Sequence, residues 1–303
     1  MFRIDDPTAA TSLPVPEAAG TEGYYTEGNP TAGTPATNVR GSWLNMIQEE
    51  LRAVVVAGGL TPSKTIYTQV RDAIKAMVGP GRLLGIQVFT ASGTYTPGNY
   101  NGVTATKIRV RGIGGGGAGG SIAFTSTGQA AVAGGGNGGA PGEIMILGSL
   151  AASYPVVIGS AGSPGAQGNN PGGAGGTTTF GGTLLTCAGG QGGLGGAAAT
   201  PPVAIFGNGL INQATSASPA IAVVLGATPI GDLGAAFSVS SALGGKGAST
   251  PYGAGGNGGG GGNGSTGKGY GAGGGGAGQG ASSGTGFQGG SGLSGILIVE
   301  EYA

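Results

Sequence analysis

The sequence predicts a mixed fold: an extended arm over residues 1–41, two short amphipathic α-helices over 42–79, and a β-strand framework with glycine-rich segments over 80–303. Three observations carry this reading. Of the 76 Gly in 303 residues, 13 fall in residues 1–111 and 63 in residues 112–299. The apolar period is helical between residues 44 and 77 and switches to two after Leu83. Charge follows the same division, since Glu143, Asp232, Lys246 and Lys268 are the only ionisable carboxylates and cations in residues 112–299.

Composition also narrows function. Charged residues make up 8% of the chain, the net charge is zero and there is no His. That leaves no basic footprint for nucleic acid, no histidine base and no His-ligated metal. The single Cys187 excludes an intrachain disulfide or thiolate cage, so no metal or other cofactor is expected. Asp5 and Asp6 stand where a secretory leader would be basic, and no apolar run approaches the length of a membrane span, so neither export by a leader nor membrane insertion is expected. Disorder is disfavoured because 38% of residues are apolar and little charge would keep an unfolded chain in solution.

Residues 1–40 hold Pro7, Pro14, Pro16, Pro30 and Pro35 without any helical or strand period, which reads as an arm. Asn38 or Ser42 is positioned to cap a helix in which Leu44, Ile47, Leu51 and Val54 form one stripe, closed by Gly58 and Gly59. A second helix over 65–78 sets Ile66, Val70, Ile74 and Met77 on one face and stops at Pro80 and Gly81. Helices of this length are marginal alone, so their stripes are expected to bury against copies of themselves, another protein, or a neighbouring sheet of the same chain. Trp43 reads either as a partner contact or as a local anchor of the first helix.

Beyond Leu83, IQVFTASGTYTP reads as strand, turn, strand. ATKIRVRGI alternates Ile108 and Val110 with Lys107, Arg109 and Arg111, the pattern of a half-buried strand. Further strands are expected at 143–147, 154–158, 177–186 and 296–302, with Cys187 as a small buried hydrophobe.

Ordering a glycine costs roughly 0.5–1 kcal/mol more than ordering an alanine in regular structure. Over 63 glycines this far exceeds the ~5–15 kcal/mol net stability of a domain, so an ordered fold must use the missing side chains. Polyglycine II does so: left-handed, three residues per turn, its strands lying close enough to hydrogen-bond laterally, a contact only Gly permits, as at the collagen axis. A collagen triplet itself fails at Pro171, and a silk-like structural protein is the compositional alternative.

Two phosphate-loop look-alikes, Gly112/Gly114/Gly117 and the run Gly262 to Gly269, lack a following helical period. Paired-carboxylate catalysis, as in a polysaccharide depolymerase, finds only Glu143 and Asp232 within the glycine region. Glu300 and Glu301 are adjacent on a strand and point apart. An enzyme is not expected.

The runs YYTEGNPTAGTPAT, GSWLNMIQEELRAVV and GLTPSK resemble the amino-terminal part of tail fibre proteins of phages infecting Gram-negative hosts. VFTASGTYTP, KIRVRGIGGGGAGG, PGEIMIL, TTTFGG, AGGQGG and GLSGILIVEEY resemble, in that order, the glycine-rich receptor-binding domains at fibre tips. The resemblance implies a virion structural protein of the distal tail, made in the host cytoplasm. It attaches to a baseplate protein through its amino-terminal part and binds a pilus, outer-membrane protein or lipopolysaccharide through its tip. It implies a homotrimer too, so that Leu44, Ile47, Leu51, Val54, Ile66, Val70, Ile74 and Met77 become interface residues of a trimeric helical bundle. Because 303 residues leave no long shaft, the fibre should be short.

On this reading the receptor contacts lie among the non-glycine islands. Tyr252, Tyr270 and Phe287 are candidates, with the alternative that they plug gaps between glycine helices. Lys246 and Lys268 either meet an anionic surface or serve solubility. The largest island, 200–243, carries Ile205, Phe206, Ile221, Val223, Val224, Leu225 and Phe237, read as core or trimer-interface residues.

Overall fold

The computed structural model describes residues 2–78 and 81–303. The chain divides into two compact units, Met1–Arg82 and Leu83–Ala303. The expected stop at Pro80, and with it the 79/80 boundary, lies outside the described residues.

In the first unit, helix α1 spans Gly41–Ala57 and α2 spans Gln69–Val78. Neither expected cap serves α1: Arg40 holds the cap position with no side-chain bond, and the Ser42 hydroxyl is engaged by Glu17 instead. At the other end the amide of Leu60 bonds the Val55 carbonyl and that of Gly59 bonds Val56. This six-to-one closure needs a left-handed residue, which Gly59 supplies at φ +75°. Helix α2 begins four residues later than the apolar pattern suggests. The Gln69 side chain accepts from the Ser63 amide and donates to the Thr61 carbonyl, tying residues 61–68 into a connection. Ile66 therefore lies ahead of the helix rather than on its stripe.

The helices meet where Gly58 abuts Ala73, with Val55 and Ala73 fully buried. Ile47, Leu51, Val54 and Val70 are half-buried, while Leu44, Ile66, Ile74 and Met77 are exposed. The arm folds back onto the helices: Arg3 forks onto Glu49 at 2.6 Å, and Lys64 reaches Asp5. Tyr25 packs edge-on against Trp43 with ring centroids 5.0 Å apart.

The second unit rests on two antiparallel five-stranded sheets. The first runs, edge to edge, Leu83–Phe89, Ile296–Tyr302, Lys107–Ile113, Pro141–Leu147 and Ile221–Leu225. The second runs Thr215–Ser216, Leu185–Cys187, Thr178–Phe180, Tyr154–Val157 and Gly93–Tyr95. Between them lies one apolar core that includes Tyr95, Ile108, Val110, Ile144, Tyr154, Phe180, Leu185 and Leu297, with Tyr154 stacked on Phe180 at 5.0 Å. The expected strand, turn, strand at 86–97 forms, with its two strands entering different sheets. The single strand expected at 177–186 is a hairpin instead, turned at Gly181 and Gly182. Cys187 is fully buried, and burial pushes its thiol up to about 12, leaving it protonated and unreactive.

From these sheets the glycine tracts extend as a lattice. Along 115–122 successive amides turn to three neighbours in rotation. Gly115, Ala118 and Ser121 donate to Gly176, Gly173 and Asn170; Gly116, Gly119 and Ile122 donate to Leu293, Gly290 and Phe287; Gly117 and Gly120 donate to Asn137 and Gly134. The carbonyls repeat the step, since Gly190, Gly193 and Gly196 donate to Gly115, Ala118 and Ser121, and Gly274 and Ala277 to Gly117 and Gly120. Partners advance by three for every three residues, so the segment completes a turn per three residues among hydrogen-bonded neighbours.

This packing explains the composition. A Cβ on Gly119 would fall on the Gly275 carbonyl, and one on Gly120 on that of Leu194. Neighbouring backbones occupy the space that side chains would take.

Candidate functional site

The lattice fixes where each loop emerges. Ile113 and Ile296 are register partners in the first sheet. Nine residues onward from Ile113 and nine back from Ile296, Ile122 and Phe287 bond each other through both amides, at 2.9 and 3.3 Å. At about 3.1 Å per residue, those nine residues span roughly 28 Å. The unit therefore has a sheet end and a far end.

At the far end five loops converge. The Ile122 carbonyl also accepts from Gly168, Ala123 donates to Gly196, and Ala130 pairs with Ala199. Thr125 donates its hydroxyl to the Gly280 carbonyl at 2.6 Å and accepts from the Ser283 amide, while the Ala281 amide reaches Val239. Thr127 and Ser282 hydroxyls stand 3.4 Å apart, with Ser282 in a left-handed conformation at φ +60°. Phe124 projects here, 62% exposed. Residues 122–131, 167–170, 196–199, 239–240 and 279–288 hold no ionisable side chain, so this surface offers hydroxyls, amides and apolar carbon only.

The residues expected to contact a receptor do not converge. Phe287 belongs to the far end but is half-buried against Ile122, Ala131, Ala133 and Ala277, filling a gap between glycine segments. Tyr252 and Tyr270 are at the sheet end, where the Thr250 hydroxyl donates to the Tyr270 carbonyl and Gly139 bonds Gly271. Burial raises the Tyr252 phenol above its ordinary value, against the opposing field of Arg111. Lys268 lies beside them, its amide bonded to Ala254, and Lys246 sits between the ends, bonded through its carbonyl to Asp232; both side chains are exposed. Sequence reasoning missed Phe124 and the Thr125–Ser283 contact. The signal for them is the equal nine-residue length of the two tracts leaving paired strand ends.

The carboxylates of the first sheet, Glu143, Glu300 and Glu301, are engaged structurally. On the open face of the first sheet Arg109 bonds Glu143 at 2.8 Å, and Arg109 and Arg111 both bridge to Glu300. On the opposite face Glu301 is fully buried and accepts from Tyr95, Tyr100, Gln87 and the Gly98 amide. Burial alone would raise its pKa; these four donors outweigh that and hold it below the ordinary carboxylate range. Glu300 and Glu301 thus point apart, as their adjacency on a strand requires. Neither glycine look-alike of a phosphate loop precedes a helix: 112–117 runs into the lattice, and 262–269 leads to the turn at Tyr270.

Of the large island, Ile205 packs on the buried Ala130, Val132 and Ala236, while most of its other large apolar residues are exposed within one chain. Ile221, Val223 and Val224 are about half exposed, Phe206 is 67% and Phe237 79% exposed. Its two arms run side by side, Ala214 bonding Gly226 and Thr228 bonding Asn212, and the ribbon is pinned to the lattice through Asn137. The Asn137 side chain donates to the Asn208 and Leu210 carbonyls and accepts from the Gly231 amide. Ile221–Leu225 are exposed because their strand is an edge flanked only by Pro141–Leu147, which within one chain leaves the core alternative to Ile205.

No family model matches the chain. Over 78 residues it is 40% identical to the Uncharacterized protein StfP of Escherichia coli (strain K12). The match takes in 26% of this chain and 35% of that protein, so the chain spans about a third of the length of the curated relative it matches.

Proposed function

We propose that this chain is a homotrimeric phage tail fibre protein that joins a baseplate protein through residues 1–79 and binds a bacterial surface receptor through its glycine-rich unit, without chemistry. The three-residue rotation of lateral hydrogen bonds supports a polyglycine II lattice. That lattice acts as a rigid carrier, holding loops roughly 28 Å from the sheets. The observation that carries the receptor reading is the far-end surface, where five loops cross-bond into one uncharged face bearing an exposed Phe124. A large ring on a fixed loop offers contact area at low entropy cost. Glu143 and Glu300 share Arg109 in ion pairs, an arrangement suited to holding a sheet together rather than to a depolymerase.

Purified chain added to susceptible cells should bind them and compete with phage adsorption while releasing no envelope sugar. Phe124→Ser should weaken that competition at least tenfold, and Tyr270→Ser at the sheet end should leave it unchanged. Sugar release would replace this reading with the depolymerase. Competition by the Phe124 variant equal to that of the parent would remove the far-end surface as the contact.

A further inference from the structure

From the apolar ribbon of residues 206–237 we infer an interface between copies of this chain in the glycine-rich unit, lying lengthwise along the lattice. The inference deepens the trimeric fibre reading and rests on it only for the number of copies. Exposed apolar side chains recur at every level of the ribbon: Val223 and Val224 on the edge strand of the first sheet, Leu210 and Ile230 beside Asn137, Phe206 and Phe237 beyond them. Each is between 46% and 79% exposed. With Ile211, Ile221, Leu225 and Leu233 they make ten exposed large apolar side chains within residues 206–237, a concentration unlike the singly scattered apolar residues of an ordinary monomer surface.

Shape and charge point to the occupant. The ribbon is bonded along its inner side to residues 135–141, through Asp232, Pro229 and Gly226, so it runs along the flank of the lattice from the sheet end. A receptor met at the tip does not cover such a flank, whereas a second copy of equal length lying alongside does. Between Ile205 and Phe237 the only charged side chain is Asp232, and the edge strand Ile221–Leu225 carries none of the charges that protect exposed edges. A surface without charge discriminates poorly among solutes but suits burial against an identical uncharged surface.

Thiol accessibility tests this in the full chain, because the native Cys187 is buried and inert. Val223 and Val157 are 49% and 47% exposed in one chain, so Val223→Cys and Val157→Cys should react equally with a maleimide if nothing covers the ribbon. We expect Val223→Cys to react at least tenfold more slowly, with the protection lost when Val224→Asp and Phe237→Asp are added or when dilution dissociates the assembly. Equal rates would overturn the inference, as would protection that persists in a chain shown by light scattering to be monomeric. Adsorption competition is read separately: protection without cell binding keeps the interface and removes the receptor reading, and cell binding without protection does the reverse.

Discussion

Between Gly114 and Gly120 the chain carries one side chain beyond hydrogen, the methyl of Ala118, whereas the sandwich beneath is filled by Tyr95, Tyr154 and Phe180 in mutual ring contact. Both regions are fully buried. In the sandwich, burial removes apolar area from water and the energy resides in side chains. In the lattice almost no side chain is available to bury, and order rests on amide and carbonyl groups satisfied laterally, each of which would be costly to leave unpaired. Substitution should therefore act with opposite sign in the two places: added carbon breaks the lattice, removed carbon breaks the sandwich.

The largest effect should come from adding carbon. Gly119→Val sets three carbons where the Gly275 carbonyl lies, and separating those backbones also breaks bonds to Gly290 and its neighbours. We expect a loss above ~5 kcal/mol, comparable to the whole net stability of a domain. Soluble yield and the far-ultraviolet spectrum report it, and a folded variant with an unshifted melting temperature would break the comparison. Removal of carbon comes next. Phe180→Ala leaves a cavity among stacked rings and should cost ~3–5 kcal/mol by denaturant titration, with the lattice still formed below the new midpoint.

A third test concerns the buried carboxylate that closes the sandwich edge. Because its folded pKa lies below the unfolded 4.5, the Glu301 contribution is complete above pH 4.5 and disappears as pH falls through the lowered folded value. Glu301→Gln should cost ~1–3 kcal/mol at neutral pH by leaving donors among Tyr95, Tyr100 and Gly98 mismatched. The difference from the parent should shrink as pH drops below 4.5. A constant difference down to pH 2 would assign the loss to packing instead.

How much of this was legible in the sequence follows from the same physics. Strand 107–113 shows itself because Ile108 and Val110 face a core while Lys107, Arg109 and Arg111 do not, and the Glu300/Glu301 divergence follows from strand geometry alone. The strand Ile221–Leu225 gives no alternation because, at a sheet edge, it is exposed along its whole length. Ile66 looks helical by spacing, yet the Gln69 side chain captures the connection before it. The placement of Tyr252 and Tyr270 far from Phe287 was hidden for a different reason. Glycine tracts have no apolar register, so only residue counts from strand ends tell which end of the lattice a loop occupies. For 250–270 the count passes through several tracts before reaching a strand.

The smallest effect sharpens the rule that lattice glycines are required by their neighbours rather than by glycine as such. Gly284 lies in the far-end loop, its φ outside the left-handed range, and a Cβ there meets nothing within 4 Å. Gly284→Ala therefore adds no clash, and it reduces the freedom of the unfolded chain as it does at any unstrained site. We expect it to stabilise the protein by ~0.4–1 kcal/mol, the reverse in sign of Gly119→Val, although both replace a glycine within the glycine-rich region 112–299. Paired melting curves of the two variants and the parent measure this directly. If Gly284→Ala destabilised the chain as well, the glycines would be serving backbone conformation, and the close packing of carbonyls against absent side chains would not be what selects them.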